Sequence, residues 1–153
     1  MNHLGYACIN QGFSTLPKSQ RITTNRTMIK RTYHDRGIEY ASELALQNLR
    51  DLHTILEWNL ANDIYFYRLS SDIIPWASEY DLVDMPNFGA IHAAALKAGN
   101  FARKHGMRLT SHPGPFNKLA SPKERVFELT KTDLSVHGDL FDLIGLPHTP
   151  YAK

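Results

Sequence analysis

An α/β fold built on a parallel sheet is what this sequence predicts, and three observations carry the prediction. Short β-compatible apolar runs alternate with longer stretches of helical periodicity. Each unit closes on a turn or capping signal, and no linker or low-complexity tract interrupts the series. Three strand-then-helix units can be counted, and such units in series pair their strands in parallel with the helices packed outside.

Leu4 to Ile9 is short and apolar and reads as a buried first strand. A long polar loop follows, through Thr23, Thr24, Asn25 and Arg26. Ile38, Ala41, Ala45, Leu49, Leu52, Leu56 and Leu60 then fall at steps of three and four, the apolar face of a long helix that Asn62-Asp63 ends. Ile64 to Leu69 is the second strand, bounded by Ser70-Ser71-Asp72. Asp84 and Pro86 suit the cap and first turn of a helix whose stripe is Phe88, Ile91, Ala95, Ala98 and Ala102, with Gly106 at its end. Met107 to Ser111 is the third strand and runs into His112-Pro113-Gly114. Ser121-Pro122-Lys123-Glu124 has the form of a capping box, and Phe127, Leu134, Phe141 and Ile144 carry the third helix to Gly145 and Pro147. A complete eight-unit barrel typically takes about 250 residues. A fourth strand is due at Tyr151-Ala152-Lys153, so residues 1–153 are expected to form one domain, the N-terminal part of a larger barrel whose C-terminal half is absent.

Composition narrows the class of protein. Hydrophobic residues make up 42% of the 153 and charged residues 21%, which excludes a disordered chain. No apolar run approaches the roughly 20 residues that span a bilayer, and Met1 to Ile9 lacks the features of a signal peptide, so no membrane role is expected. Cys8 is the one cysteine, no internal disulfide can form, and a reducing cytoplasm is the natural compartment. The net charge of +2 is too mild to diagnose nucleic-acid binding. Its distribution says more: Lys18, Arg21, Arg26, Lys30, Arg31 and Arg36 face only Asp35, a segregation that suits a phosphate-contacting loop or a solvated one.

In parallel α/β folds, function gathers at the C-terminal ends of the strands. Here those ends carry Asn10 and Gln11, then Ser70-Ser71-Asp72, then His112. Carboxylate and imidazole together suit Mn, Zn or Fe, although Asp72 also suits a turn cap. His112 lies between a strand and a Pro-Gly turn, where packing rarely asks for histidine. His3, His34, His53, His105 and His148 are expected at the surface and His92 in solvent. His137, seven residues before Ile144, is expected to be a hydrogen-bonded core histidine.

The strand ends also carry a family resemblance. Gly5-Tyr6-Ala7-Cys8-Ile9-Asn10 resembles the opening G-Y-x-C-x-N strand of the UV damage endonucleases. Thr24-Asn25-Arg26-Thr27 resembles their T-N-R-T segment, and Asn48-Leu49-Arg50-Asp51-Leu52 with Trp58-Asn59 their N-L-x-D-L…N helix. Arg68-Leu69-Ser70-Ser71-Asp72-Ile73-Ile74-Pro75-Trp76 is similar to R-x-S-S-D-x-x-P-[FW], and Arg108 to Gly114 to R-L-x-x-H-P-G. Five motifs in order, at compatible spacing, make the resemblance specific.

The resemblance implies a partial TIM (β/α)8 barrel of about three strand-helix units. It implies hydrolysis of the DNA phosphodiester immediately 5′ to a UV photoproduct, leaving a 3′-hydroxyl and a 5′-phosphate. Clustered divalent metal ions, Mn in the first place with Zn, Mg or Co as others, would acidify a water and clamp the scissile phosphate. His112 and, with it, Asp72 are implied as catalytic metal ligands, with the remaining ligands on strands four to eight. Tyr6, Asn10, Asn25, Arg26 and Arg68 are implied at the DNA. Pro115 and Phe116 stand where family members carry a glutamine and a tyrosine that probe the lesion. Phe116 keeps a stacking face, while Pro115 loses the amide's hydrogen bonds, which bears on the range of lesions recognised. The implied partners are UV-damaged double-stranded DNA and the missing half of the barrel, and the chain alone is expected to be inactive and to self-associate. Two other readings use the same residues: a metal-dependent TIM-barrel sugar isomerase of the xylose isomerase type, and a non-catalytic DNA-binding remnant.

Overall fold

Three parallel strands pair side by side in the order β1-β2-β3, with helices packed against one face. The computed structural model describes residues 4–115 and 117–149, so Phe116 and the expected start of a fourth strand at 151–153 lie outside the described residues. The elements run β1 (Gly5–Ala7), α1 (Gln11–Ser14), a 3-10 turn at Lys18–Gln20, α2 (Lys30–Ala61), β2 (Phe66–Leu69), 3-10 turns at Ala77–Glu79 and Leu82–Asp84, α3 (Phe88–Lys104), β3 (Arg108–Ser111) and α4 (Glu124–Ile144). The alternating strand-helix order matches the expected fold class.

Register assigns each strand residue a face, because side chains alternate across a sheet. Tyr6, Tyr67 and Leu109 pair across the three strands and point toward the helices, as does Leu69. Gly5 pairs with Phe66 and Phe66 with Arg108, while Ala7 pairs with Arg68 and Arg68 with Thr110. This second row forms the opposite face, where Arg68 and Arg108 are exposed. A Cβ on Gly5 would lie 2.2 Å from the Phe66 ring, so glycine makes the room for Phe66. Tyr67 and Leu69 therefore belong to the core under the helices and not to a barrel interior.

The core is built from the stripes that periodicity predicts. Leu49, Leu52 and Leu56 of α2 and Ile91, Ala95, Ala98 and Ala102 of α3 are buried together with Tyr67, Leu69 and Leu109. Phe141 and Ile144 of α4 join the same cluster, whereas Phe127 and Leu134, expected on the same stripe, are only half-buried and stay outside it. Helix boundaries depart from the expected caps. α2 starts at Lys30, so Lys30, Arg31 and Arg36 stand on a helix and not in the basic loop, and Gly37 (φ 64°) breaks that helix near its start. α3 starts at Phe88, after Asp84 and Pro86, and the buried Ser42 hydroxyl of α2 accepts from the Asn87 N–H at 3.0 Å. The Ser121 hydroxyl accepts from the Lys123 N–H at 3.2 Å, a local turn in place of a capping box. β1 is short and at a sheet edge, with Leu4 69% and Ile9 47% exposed, so it is not the buried strand expected.

α3 and α4 meet backbone to backbone at one point. A Cβ on Gly99 would lie 1.8 Å from the Ile144 carbonyl oxygen, closer than any atom pair tolerates. Alanine gains up to about 1 kcal/mol over glycine in a helix interior, but overpacking costs about 1–3 kcal/mol and here must move backbone. Gly99→Ala is thus expected to destabilise, lowering Tm by several degrees at about 2–4 °C per kcal/mol. An unchanged or higher Tm in a thermal melt would show that the two helices are not in this close contact.

Candidate nucleic-acid and metal site at the strand ends

β1 ends on a strained residue. Cys8 takes a left-handed backbone (φ 60°), a conformation sparsely populated by residues with a Cβ and often found at functional sites. Its N–H donates to the Arg68 carbonyl at 2.8 Å and its own carbonyl accepts from the Tyr67 hydroxyl at 2.9 Å, which hold it there. Burial pushes the Cys8 thiol up, against the pull of Arg68. The chain then turns to Asn10, buried, which caps α1 by accepting from the Phe13 N–H at 3.3 Å. The Tyr6 hydroxyl donates to Asn59 Oδ1 at 2.7 Å and accepts from Asn10 Nδ2 at 2.9 Å. Burial raises the Tyr6 phenol, and these two bonds pull it back. Tyr6 and Asn10, both expected at DNA, thus form one network with α2.

The Thr23–Thr27 segment is pinned from α2. Arg26 Nη1 pairs with Asp51 at 2.7 Å and donates to the Thr23 carbonyl at 2.8 Å, while Nη2 donates to the Arg21 carbonyl at 2.7 Å. The same Asp51 carboxylate accepts from the Thr23 N–H at 2.9 Å. Asn48, fully buried, accepts from the Arg26 N–H at 3.1 Å and donates to the Arg26 carbonyl at 2.9 Å and the Ile73 carbonyl at 3.0 Å. Thr24 is buried with its hydroxyl 3.1 Å from that of Tyr67. Asn25 is half-buried and accepts from the Thr24 hydroxyl at 3.4 Å. Arg26 therefore has an internal partner for its charge, whereas Arg68 is exposed and donates through Nε to the Ser111 carbonyl at 2.9 Å.

Asp72 and His112 are both exposed at neighbouring strand ends. The Asp72 N–H donates to the Ser70 hydroxyl at 3.4 Å, which places it in a turn. Among the described residues, no hydrogen bond or ion pair engages its carboxylate or the His112 imidazole. Burial lowers the pKa of the buried His137 of α4, against Asp133 and Asp72, which favour its protonation, while His112 opposes it. His137 is 5% exposed, with Nε2 3.8 Å from Asp133 and Nδ1 without a hydrogen-bond partner. It is a core histidine as expected, but not the hydrogen-bonded one expected: among the described residues its buried Nδ1 has no partner. Asp72 and His112 offer donor types that suit a divalent ion. Among the described residues, no three His, Cys, Asp or Glu side chains gather closely enough to hold one. Pro115 is exposed on the loop beyond His112.

Two residues of this region were not legible as part of it. The burial of Asn48 follows from its place beside Leu49 on the helix, but its loop partners are distant in sequence. His137 gave only its spacing from Ile144. His53, expected at the surface, is mostly covered and packs edge-on against Phe101 at 5.1 Å. No described helix is long and apolar enough to cross a membrane.

A family model described as UV-endonuclease UvdE matches residues 2–153. The chain belongs to this family. A putative UV-damage endonuclease of Acanthamoeba polyphaga mimivirus is 35% identical over 149 residues, covering 93% of this chain and 42% of the relative. The UV-damage endonuclease of Schizosaccharomyces pombe is 34% identical over 143 residues, 94% of this chain and 23% of the relative. The crystal structure of SacUVDE superposes with a TM-score of 0.79 at 28% identity, over 94% of this chain and 46% of that one. The chain spans under half the length of each of these. The strand-helix series is thus the corresponding part of the UvdE fold, and membership sets the sugar-isomerase reading aside.

Two predictions follow from the site's buried groups. Removing the Asn48 side chain leaves the Arg26 N–H and carbonyl and the Ile73 carbonyl without partners, each orphaned group costing about 1–3 kcal/mol. With partial relief by water, Asn48→Ala is expected to lose about 2–4 kcal/mol in urea unfolding; a loss under about 0.5 kcal/mol would show the loop is held by other means. The second concerns pH. Burial, the largest cause, lowers His137 below its ordinary value, and burial with Lys97 lowers His53. A histidine whose folded pKa is depressed leaves stability unaffected above its unfolded pKa of about 6.5 and removes it as pH falls below that, levelling off under the folded pKa. Tm should therefore decline from pH 7 to 5, and less so in His53→Gln; equal declines in both proteins would exclude His53 as a contributor.

Proposed function

We propose that this chain carries the lesion-facing first part of a UV damage endonuclease, a metal-dependent enzyme that hydrolyses DNA immediately 5′ to UV photoproducts and so begins excision repair. The observation that carries the reading is the gathering of the family's motifs at one end of the sheet, with Asp72 and His112 exposed beyond the ends of β2 and β3. The names of the relatives, UV-damage endonucleases from a virus, a yeast and bacteria, support it.

In this reading Asp72 and His112 hold part of a divalent metal set, manganese in the first place. Bound ions would acidify a water and neutralise the scissile phosphate. Arg68 meets the DNA backbone with the N–H groups that Ser111 leaves unengaged. Tyr6 and Asn10 present a rigid edge to the damaged nucleotides because Asn59 fixes the tyrosine hydroxyl and α1 fixes the amide. Asn25 and Arg26 shape the neighbouring loop, and Arg26 acts mainly through its internal bonds. Pro115 and Phe116 enter the distorted stack.

The test is nicking of UV-irradiated supercoiled plasmid with Mn²⁺ by the product of the whole reading frame. Irradiated plasmid should relax and unirradiated plasmid should not; equal cutting of both sinks the damage-specific reading. His112→Ala should lower metal content and abolish nicking without unfolding the protein. The 153-residue chain alone should be inactive, because only two candidate ligands stand among its described strand ends. Its exposed sheet face and edges should make it associate in light scattering. A soluble monomer of this chain that nicks irradiated DNA would overturn that part.

A further inference from the structure

The loop that leaves β3 directly after His112 is tied to one face of α4 by two side chains. The Asn117 amide donates to the Gly114 carbonyl at 3.1 Å and to the Asp133 carboxylate. The Lys118 N–H donates to the Thr130 hydroxyl at 2.9 Å. That hydroxyl donates in turn to the Val126 carbonyl at 2.8 Å, so its donor is spent within the helix and its acceptor is left for the loop. Thr130 is 2% exposed, which makes the bond to Lys118 a buried one. One turn further along, the Asp133 carboxylate lies 3.8 Å from Nε2 of the buried His137. Both attachments to α4 are made from Asn117 and Lys118, and the Asn117 amide ties them back to the Gly114 carbonyl.

We propose that Thr130 and Asp133 are positioning residues: they clamp Asn117 and Lys118, and through Asn117 the Gly114 carbonyl, against α4 and so set how tightly the protein discriminates UV-damaged from intact DNA. The physical reason is preorganisation. A loop whose Asn117 and Lys118 are fixed on α4, and whose Gly114 is bonded to Asn117, loses less conformational freedom when it meets a distorted duplex. Intact duplex, bound through its phosphates, draws little on that loop. The selectivity half of this inference rests on the function proposed above; the clamp itself does not.

The variants are made in the whole reading frame. Thr130→Val keeps the side-chain shape and removes the acceptor for Lys118, and Thr130→Ser restores it. Asp133→Ala removes the acceptor for Asn117, and Asp133→Asn keeps an acceptor oxygen. Amide hydrogen exchange across residues 113–120 reads the clamp, and binding of irradiated against unirradiated duplex of one sequence reads selectivity. Thr130→Val and Asp133→Ala should speed exchange at Lys118 and lower the damaged-to-intact affinity ratio by roughly tenfold, with intact-duplex affinity unchanged; Thr130→Ser and Asp133→Asn should stay near wild type. Asp133 is partly exposed, so its alanine variant keeps the test decisive should the valine substitution at the buried Thr130 unfold the protein. Unchanged exchange in Asp133→Ala overturns the clamp. Faster exchange with an unchanged ratio overturns its role in selectivity, as does failure of both conservative variants to rescue. A wild type that binds both duplexes alike overturns the proposed function and the selectivity role together, while the exchange data still decide the clamp.

Discussion

The strand-end region depends on one buried amide. Asn48 is fully covered, yet it carries three hydrogen bonds to backbone groups of two different loops. A loop crossing over a helix brings peptide groups with no ladder to satisfy them, and each one buried without a partner costs about 1–3 kcal/mol. Asn48 supplies an acceptor and donors from a rigid helix, fixing Arg26 and Ile73 relative to each other. Asp51, one turn along, repeats the device by taking the Thr23 N–H and the Arg26 charge together. The loop after β1 and the loop after β2 are thereby referred to the same helix. Their relative position is set by α2 and not by the strands alone.

This explains which parts of the molecule were legible in its sequence. The core stripes of α2 and α3 repeat every three to four residues, and burial of Leu49, Leu52, Leu56, Ile91 and Ala95 follows from that period alone. Parallel pairing followed from the strand-helix alternation. Helix starts were misplaced because their N–H groups are satisfied from a distance: Ser42 serves Asn87 across 45 residues, and no local rule contains that partner. The motif positions were recognisable, but the physical task of several was not. Arg26 reads as a basic residue in a basic loop, and only the fold shows Asp51 and two carbonyls occupying it. His137 reads as core, and only the fold brings it to the strand ends after β2 and β3.

The two faces of the sheet differ in what covers them. In one row Tyr67 and Leu109 are buried under helices and Tyr6 is half-buried beside them, and the Tyr67 hydroxyl satisfies itself on Cys8 and Thr24 while buried. The other row holds Phe66 beneath Arg108, with the guanidinium 5.4 Å from the ring centre, and Arg68 beside Thr110. Cations on that face sit above an aromatic ring and backbone carbonyls, a surface that suits anionic partners more than an apolar layer would. Residues that must be buried for the fold and residues open to a ligand alternate along the same three strands.

α4 joins these two regimes in one rigid element. Its C-terminal half is anchored: Phe141 and Ile144 enter the core, Gly145 closes the helix in a left-handed cap (φ 72°), and Arg103 of α3 donates to the Ile144 carbonyl at 3.2 Å. A cation at a helix C-terminus also opposes the helix dipole. Its N-terminal half carries Thr130 and Asp133, which bond the loop beyond His112. A helix is stiff over five turns, so anchoring at Ile144 fixes the height and rotation of Thr130 and Asp133 over that loop. The close contact of Gly99 with Ile144 thus bears on more than stability: by setting how far α4 approaches α3, it sets where the strand-end loop is held.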